Sequence, residues 1–278
     1  MVTGSQKGIR SVLFWAGLVA AVAYCLGPFV WQFITSLKPA AELTMLPPVL
    51  PTRPVLENYR SVFAARPFLR IILNSLVVAS GTTFFSLAIG SLAAFALARL
   101  PLRGRHIFLA FVLSVSMFPP IATVSPLYIV IRFLGLRDTL TALVITYTTF
   151  SLPLTIWILT NFFREVPREI YLAALLDGCT PFQIFYRIFL PLAAPGLSAT
   201  AILVFIFSWN EFLFALTFTS TAASRTIPVA IALFPGVHEV PWGEIAAASV
   251  VVTVPVVVLV FVFQRRIVEG LTMGAMKG

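Results

Sequence analysis

Residues 164–195 read REVPREIYLAALLDGCTPFQIFYRIFLPLAAP. Pro167 suits the first position of a helix, where its missing N–H is no loss. The following turns, Arg168 to Asp177, place Ile170, Ala173 and Ala174 on one face at i, i+3, i+4 spacing. Gly178 then stands where a helix ends with a residue in the left-handed conformation. Thr180 is a helix N-cap and Pro181 a second first-turn proline. The second short helix carries Phe182, Phe185, Ile188 and Phe189 and stops at Leu190-Pro191. The stretch therefore reads as helix, glycine turn, helix, with an apolar face. It fits either an interfacial helix pair lying on lipid headgroups or a knob that docks into a partner's groove.

On either side of this stretch charge is nearly absent. Runs without Asp, Glu, Lys or Arg cover 11–37, 71–98, 106–131, 139–163, 188–210 and 245–264. Each is long enough to cross about 30 Å of hydrocarbon at about 1.5 Å per residue. Helices satisfy every backbone polar group internally, as lipid requires. The expected spans are 12–35, 71–98, 107–132, 140–163, 196–219 and 245–263, an all-α polytopic membrane protein with six transmembrane helices. The chain divides into an N-terminal span with an external proline-rich loop (1–70), a membrane core (71–264) holding the 164–195 loop, and a tail (265–278).

Composition agrees. Hydrophobic residues make up 59% and charged residues 10% of 278, against about 25% charged in a soluble domain. Such a chain is neither an ordinary soluble enzyme nor disordered. The net charge of +9 comes from 19 Lys/Arg and 10 Asp/Glu. The basic residues are scattered between apolar blocks, as charges flanking spans are, and form no nucleic-acid-binding run. Segments 1–11, 99–106, 164–195 and 264–278 hold 2, 3, 3 and 3 Lys/Arg, eleven in all, against eight (5, 2 and 1) in 36–70, 132–138 and 220–244. Long loops weigh less in this rule, so both termini and the 164–195 loop are expected in the cytoplasm. Lys7, Arg10 and Ala21-Val22-Ala23 resemble a signal peptide, but the apolar run continues to Leu37, which favours an uncleaved span. Cys25 in the first span and Cys179 in the cytoplasmic loop are not expected to form a disulfide.

The prolines mark irregularities. Pro39, Pro47, Pro48, Pro51, Pro54 and Pro67 make Lys38 to Pro67 an extended surface loop, not a helix. Pro119, Pro120 and Pro126 fall in the third span and Pro153 in the fourth. They signal either packing kinks or a broken helix lining a pathway. Asn210 and Glu211 fall in the fifth span. A lone intramembrane carboxylate faces a bundle interior or water. It either lines a path for a hydroxylated solute or holds helices together by hydrogen bonding. Trp209, Phe212 and Phe214 read as packing or lipid-facing rings. The external 220–244 segment, with Phe234, Pro235, Gly236, Val237 and Trp242, is either a connector or a loop that reaches a partner.

The motifs of chemistry are missing. None of Lys7, Lys38 and Lys277 follows a glycine, so the sequence has no G-x-x-x-x-G-K-[ST] phosphate loop. It has no H-E-x-x-H and no G-x-S-x-G. His106 and His238 fall on opposite membrane sides. No cofactor or metal is expected on this chain, and it is read as a transport subunit. A proton-coupled transporter using Glu211 is the alternative, and a membrane enzyme is more distant because no second acid or metal ligand accompanies Glu211.

Leu172-Ala173-Ala174-Leu175-Leu176-Asp177-Gly178 followed by Ile188-Phe189-Leu190-Pro191 resembles the EAA loop of ABC-importer permeases. The family's pattern is E-A-A, three residues, G, nine residues, I-x-L-P, and the spacing matches throughout. Leu172 replaces the family's Glu; Glu169, three residues earlier, offers a carboxylate on the same face. Asn58-Tyr59, Asn74-Ser75, Ser208-Trp209-Asn210-Glu211-Phe212 and the Arg265-Arg266 to Gly278 tail resemble the sugar-importer branch, the maltose-permease G-type subunit and mycobacterial trehalose importers within it. The resemblance covers nearly the whole chain and implies the type I ABC-importer permease fold in a bacterial plasma (inner) membrane. It implies a homologous second permease, two copies of a cytoplasmic ATPase that bind ATP and Mg, and an external sugar-binding (lipo)protein. It assigns ATPase coupling to Glu169, Leu172, Ala173, Ala174, Asp177, Gly178, Ile188, Leu190 and Pro191. Asn210, Glu211, Pro119 and Pro120 are pathway candidates, and Phe234, Pro235, Gly236 and Val237 the binding-protein contact loop.

Overall fold

Uncharged runs of this length fold as long helices, and helices are the only regular elements among the described residues. The computed structural model describes residues 3–43, 49–64, 67–234 and 240–275, with side chains from Arg10 to Gln264. In chain order the helices are α1 (Thr3–Ser36), α2 (Glu57–Ala64), α3 (Phe68–Arg99), α4 (Arg105–Ser116), α5 (Pro120–Phe133) and α6 (Leu140–Glu165). There follow α7 (Arg168–Leu176), α8 (Pro181–Leu192), α9 (Ala194–Asn210), α10 (Leu213–Phe218), α11 (Ile227–Ala232) and α12 (Trp242–Ala275).

Arg10–Ser36, Phe68–Arg99, Leu140–Glu165 and Trp242–Gln264 are long and apolar enough to cross a membrane. Two bent pairs, α4–α5 at 91° and α8–α9 at 78°, bring the number of spans to six if each counts as one. The third expected span is thus broken at its proline pair. The fifth, expected over 196–219, is also broken: α9 stops at Asn210 and the chain restarts as α10. Pro153 does not break α6, which runs through it; a proline removes only one ladder bond, and that ring is buried. The segment 265–275 continues α12 as helix.

Two compact units divide the chain. The first comprises 1–67 and 233–254. Within it, α1 is exposed along its apolar length, as a lipid-facing helix is. The loop expected to be extended from Lys38 to Pro67 contains α2, because no proline falls between Pro54 and Pro67 and Glu57 favours a helix N-terminus. Asn58 on α2 donates from Nδ2 to the carbonyls of Ser36 and Lys38, each at 2.9 Å, satisfying the end of α1. The Tyr59 and Ser36 hydroxyls lie 2.7 Å apart. The Ser61 hydroxyl donates to Glu244 Oε1 at 2.6 Å. Gly243 permits this closure, since a Cβ there would lie 2.6 Å from Asn58 Oδ1.

The second unit comprises 68–232 and 255–278. Its centre is the α3–α6 pair. Contacts advance together along both helices, Gly81 with Val144, Gly90 with Thr155, Arg99 with Phe163, so the two run parallel. A Cβ on Gly90 would lie 2.5 Å from Thr155 Cγ2, which shows how closely the backbones approach. One buried cluster around Leu143, Tyr147, Phe214 and Phe218 packs at one end. A second, around Phe95, Phe163, Phe185 and Phe189, packs at the other.

Candidate functional site

The 164–195 stretch folds into a helical hairpin whose turn chemistry is local. Val166 and Pro167 are extended, which ends α6 and starts α7. Gly178 has φ +81°. The Cys179 N–H donates to the Ala174 carbonyl at 3.0 Å and the Gly178 N–H to the Leu175 carbonyl at 3.1 Å. This is a Schellman ending, and it needs a residue that tolerates positive φ. Thr180 then caps α8: Oγ1 accepts from the Gln183 N–H at 3.3 Å, and Gln183 Oε1 accepts from the Thr180 N–H at 2.8 Å. The reciprocal Gln183 bond, not among the expectations above, is legible in the sequence as T-x-x-Q. Phe185–Phe189 forms a π-turn inside α8. Such a turn accommodates the Pro191 ring, which would meet the carbonyl four residues back in a regular helix.

Aromatic packing keys the hairpin to the two central helices. Phe95 of α3 lies 5.4 Å from Phe185 and 5.1 Å from Phe189, centroid to centroid, and Phe163 of α6 lies 5.9 Å from Phe189. The Arg99 guanidinium donates to the carbonyls of Phe163 and Val166, orphan acceptors at the end of α6. It also sits 5.0 Å over the Phe189 ring. Ala174 is buried in this cluster, with Tyr171, Ile188 and Leu190 packed against it. Of Ile170, Ala173 and Ala174, expected on one face, Ile170 and Ala173 are exposed and Ala174 is buried; Tyr171, three residues before Ala174, turns inward with it, its ring reaching Phe95 and Phe189.

The rest of the hairpin faces outward. Glu169, Leu172, Asp177, Gly178 and Pro191 are exposed. Leu176 is 89% and Phe182 63% exposed, flanked by exposed Leu172, Leu175 and Tyr186. The pair therefore has one face locked to the membrane helices and an apolar face that stays exposed among the described residues.

The pathway candidates do not form one site. Pro119 caps α5 in extended conformation and Pro120 is its first residue, at the 91° break. A cavity of about 410 Å³ beside the break is lined mainly by apolar side chains, Phe118, Leu127, Ile131, Ile145 and Phe150 among them. Asn210 and Glu211 are not among its lining. Asn210 is exposed and donates to the Ile206 carbonyl of its own helix at 2.8 Å. Glu211 lies outside any helix, at the break after α9. Its carboxylate accepts from the Phe214 N–H at 2.9 Å and the Ala215 N–H at 3.2 Å, capping α10. The buried Tyr147 lies near this carboxylate. Trp209 stacks on Phe205 and Phe214 on Phe150, both buried, while Phe212 is exposed. Phe234 is buried, and Pro235, Gly236 and Val237 lie outside the described residues.

Asp138 gained no role from the sequence. It lies between α5 and α6 with φ +60°. Its carboxylate accepts from the Ser220 N–H at 2.7 Å, the Thr221 N–H at 3.0 Å, the Thr221 hydroxyl at 2.7 Å and the Ser224 hydroxyl. Burial pushes this carboxyl up; the bonds from Ser224, Ser220 and Thr221 outweigh it and hold the group well below the usual carboxylate range. From α3, Asn74 Nδ2 donates to the carbonyls of Ala222 at 3.1 Å and Arg225 at 2.9 Å, and Ser75 Oγ accepts from the Ile227 N–H at 2.9 Å. The first part of the 220–244 segment is therefore tied down rather than a loose connector.

The family model for the inner membrane component of binding-protein-dependent transport systems matches residues 86–272. The chain belongs to this family. It is a multi-pass membrane permease, and it is similar to the trehalose transport system permease protein SugB of Mycobacterium tuberculosis (strain CDC 1551 / Oshkosh). That protein is 44% identical over 274 residues, covering 98% of this chain and 100% of its own length. The trehalose/maltose transport system permease protein MalG of Thermococcus litoralis (strain ATCC 51850 / DSM 5473 / JCM 8560 / NS-C) is 42% identical and covers 98% of this chain and 99% of its own. Among solved structures, a chain of a bacterial ABC transporter involved in the import of the acidic polysaccharide alginate superposes with TM-score 0.81 at 22% identity, over 95% of this permease and 98% of that chain. The expected ABC-importer permease fold is thus the fold observed, and the matched stretch includes the whole hairpin.

Proposed function

We propose that this permease is one of two homologous membrane subunits of an ATP-driven sugar importer, for a sugar of the disaccharide class. The observation that carries the reading is the hairpin: keyed by Phe95, Phe163, Phe185 and Phe189 to α3 and α6, it presents an exposed apolar face. In this reading that face docks on a cytoplasmic ATPase, which binds the ATP and Mg. Glu169, Leu172, Ala173, Asp177 and Gly178 meet the partner, while Ala174, Ile188, Leu190 and Pro191 hold the hairpin's shape. Closure of the ATPase pair moves the hairpin. The aromatic cluster passes that motion to α3 and α6 as a rigid body, giving alternating access. The termini lie in the cytoplasm, and an external binding protein delivers sugar on the opposite side.

The disaccharide class is supported by the names of the two relatives. The uncharged helices suit a neutral polar solute. Asn210 and the Pro119–Pro120 break stay the pathway candidates of this chain. Glu211 serves its cap, and a capped carboxylate needs no proton cycle to explain its presence.

The test is uptake by vesicles reconstituted with both permeases and the ATPase. Labelled trehalose should accumulate only with internal ATP and external binding protein, and the sugar-loaded binding protein should raise ATP hydrolysis. Glu211→Gln should keep most of the uptake, since an amide oxygen still accepts a bond from the α10 N-terminus. Uptake driven by a pH gradient without ATP would sink the proposal.

A further inference from the structure

The ends of three membrane helices and the start of the hairpin enclose a second, polar cavity of about 340 Å³. Arg99 from the end of α3, Arg105 from the start of α4, Arg164 from the end of α6 and Arg168 from the start of α7 all line it, with Tyr171 and Pro101. No acidic side chain lines it among the described residues. Glu169 is close enough to act on Arg99 but is not part of the lining. Arg99 is already committed to the carbonyls of Phe163 and Val166. Among the described residues, no hydrogen bond or ion pair engages Arg105, Arg164 or Arg168. Four guanidinium groups around one cavity repel one another, and a group of opposite charge is what would relieve them.

We infer that this cavity binds the phosphate group of an anionic phospholipid. Guanidinium forks match phosphate oxygens two at a time, which a scatter of surface charges does not. The size admits a headgroup, and Ala98, Leu100 and Pro101 give the lining an apolar part for the glycerol end. Depth argues for lipid over an acidic partner protein. Arg99, Arg105 and Arg164 sit at the ends of membrane helices, the level of headgroups, and basic pockets between helix ends at such a level take anionic lipid. Of the residues on the hairpin's exposed face, Leu172 lines the edge of the cavity, whereas Leu175, Leu176 and Asp177 do not. The lipid would bridge the α3, α4 and α6 ends to α7, so that its loss loosens the hairpin from the bundle.

The full chain, purified in mild detergent with the subunits that accompany it, is equilibrated with micelles of phosphatidylglycerol and phosphatidylcholine. Retained lipid is then counted by native mass spectrometry. Wild type should keep phosphatidylglycerol over phosphatidylcholine. Arg105→Gln with Arg164→Gln should lower that preference on the order of tenfold. Arg105→Lys with Arg164→Lys should fall between the two, because charge is kept and the fork is lost; its melting profile, matched to wild type, shows that the fold survives. Arg132→Gln, at the end of α5, should change nothing. Unaltered preference in the Gln pair, or an equal fall in Arg132→Gln, overturns the site. Displacement of the lipid by millimolar inorganic phosphate assigns the cavity to a free anion and overturns the lipid source. Loss of an accompanying subunit from the Gln pair with lipid preference intact assigns it to an acidic partner and overturns the proposal.

Discussion

The left-handed backbone at Asp138 (φ +60°) carries two demands at once: a side chain that tolerates positive φ and a carboxylate that satisfies the turn at Ser220, Thr221 and Ser224. Asn meets the first and part of the second, whereas Ala meets neither. Asp138→Ala is therefore expected to destabilise the purified protein by about 2–3 kcal/mol and Asp138→Asn by about half of that, read as shifts in thermal unfolding. Hydrogen bonds to the ionised form lower the folded-state value, so their stabilisation is present above the ordinary carboxylate range of about 4 and fades as pH falls through the depressed value. Proteolysis within 219–226 should accordingly rise on acidification below about pH 4 in wild type and be elevated at neutral pH in Asp138→Ala. At Gly178 the constraint is backbone alone, since nothing lies within 4 Å of a Cβ built there. Gly178→Val puts a β-branched residue at φ +81°, a strain of about 1–3 kcal/mol. The variant should insert into membranes normally and lose most sugar-stimulated ATP hydrolysis. Normal stimulation would remove the hairpin from the coupling route.

At the scale of elements, the α3–α6 pair depends on small residues at the crossing. Gly90→Ala forces a methyl against Thr155 Cγ2, an overpacking expected to cost about 1–3 kcal/mol. Thr155→Ser removes that methyl and keeps a hydroxyl for the Ser151 carbonyl, now 2.9 Å away. The double variant should regain part of the loss, and an additive result in unfolding measurements would mean the contact is not the cause. Elements differ in how far the sequence announced them. The straight spans were legible because lipid leaves an uncharged helix no alternative. The charge-free run 188–210 ends where α9 ends; the expectation of 196–219 overran it because a carboxylate can cap a new helix as well as interrupt an old one. Pro119-Pro120 signalled irregularity, but its angle depends on what packs beside it. α2 was hidden by the prolines around it, and the inward turn of Tyr171 by its dependence on aromatic partners from α3 and α8. Glu211, Asn210, Pro119 and Pro120 each carry pathway chemistry singly, and nothing in a linear pattern tells whether such residues share a cavity.

For the molecule as a whole, charge placement and the hairpin's exposed face support the same proposed orientation. Eleven Lys/Arg on the side of the termini against eight opposite favour the proposed orientation, with the hairpin in the cytoplasm. A fluorescent-protein fusion after Gly278 should glow, and alkaline phosphatase fused within 49–56 should be active. In the proposed orientation the 233–242 segment is expected outside, where binding-protein contact is proposed. The edges of this segment have structural work: Phe234 is buried, Gly243 fits against Asn58, and Glu244 accepts from Ser61. Shortening must spare them, so the informative variant replaces residues 235–239 by two glycines. It exposes no backbone to lipid and leaves the hairpin untouched. Assembly with the ATPase and basal ATP hydrolysis should stay near wild type, while binding-protein-dependent uptake falls on the order of tenfold or more, about 1.4 kcal/mol of lost coupling. A titration of binding protein separates the causes. A deficit overcome at high concentration reports weaker docking, and one that persists reports failed release of sugar, which is the outcome expected if the segment competes with sugar for the binding protein's cleft. Wild-type uptake at every concentration would make the segment a connector and return the release step to other parts of the assembly.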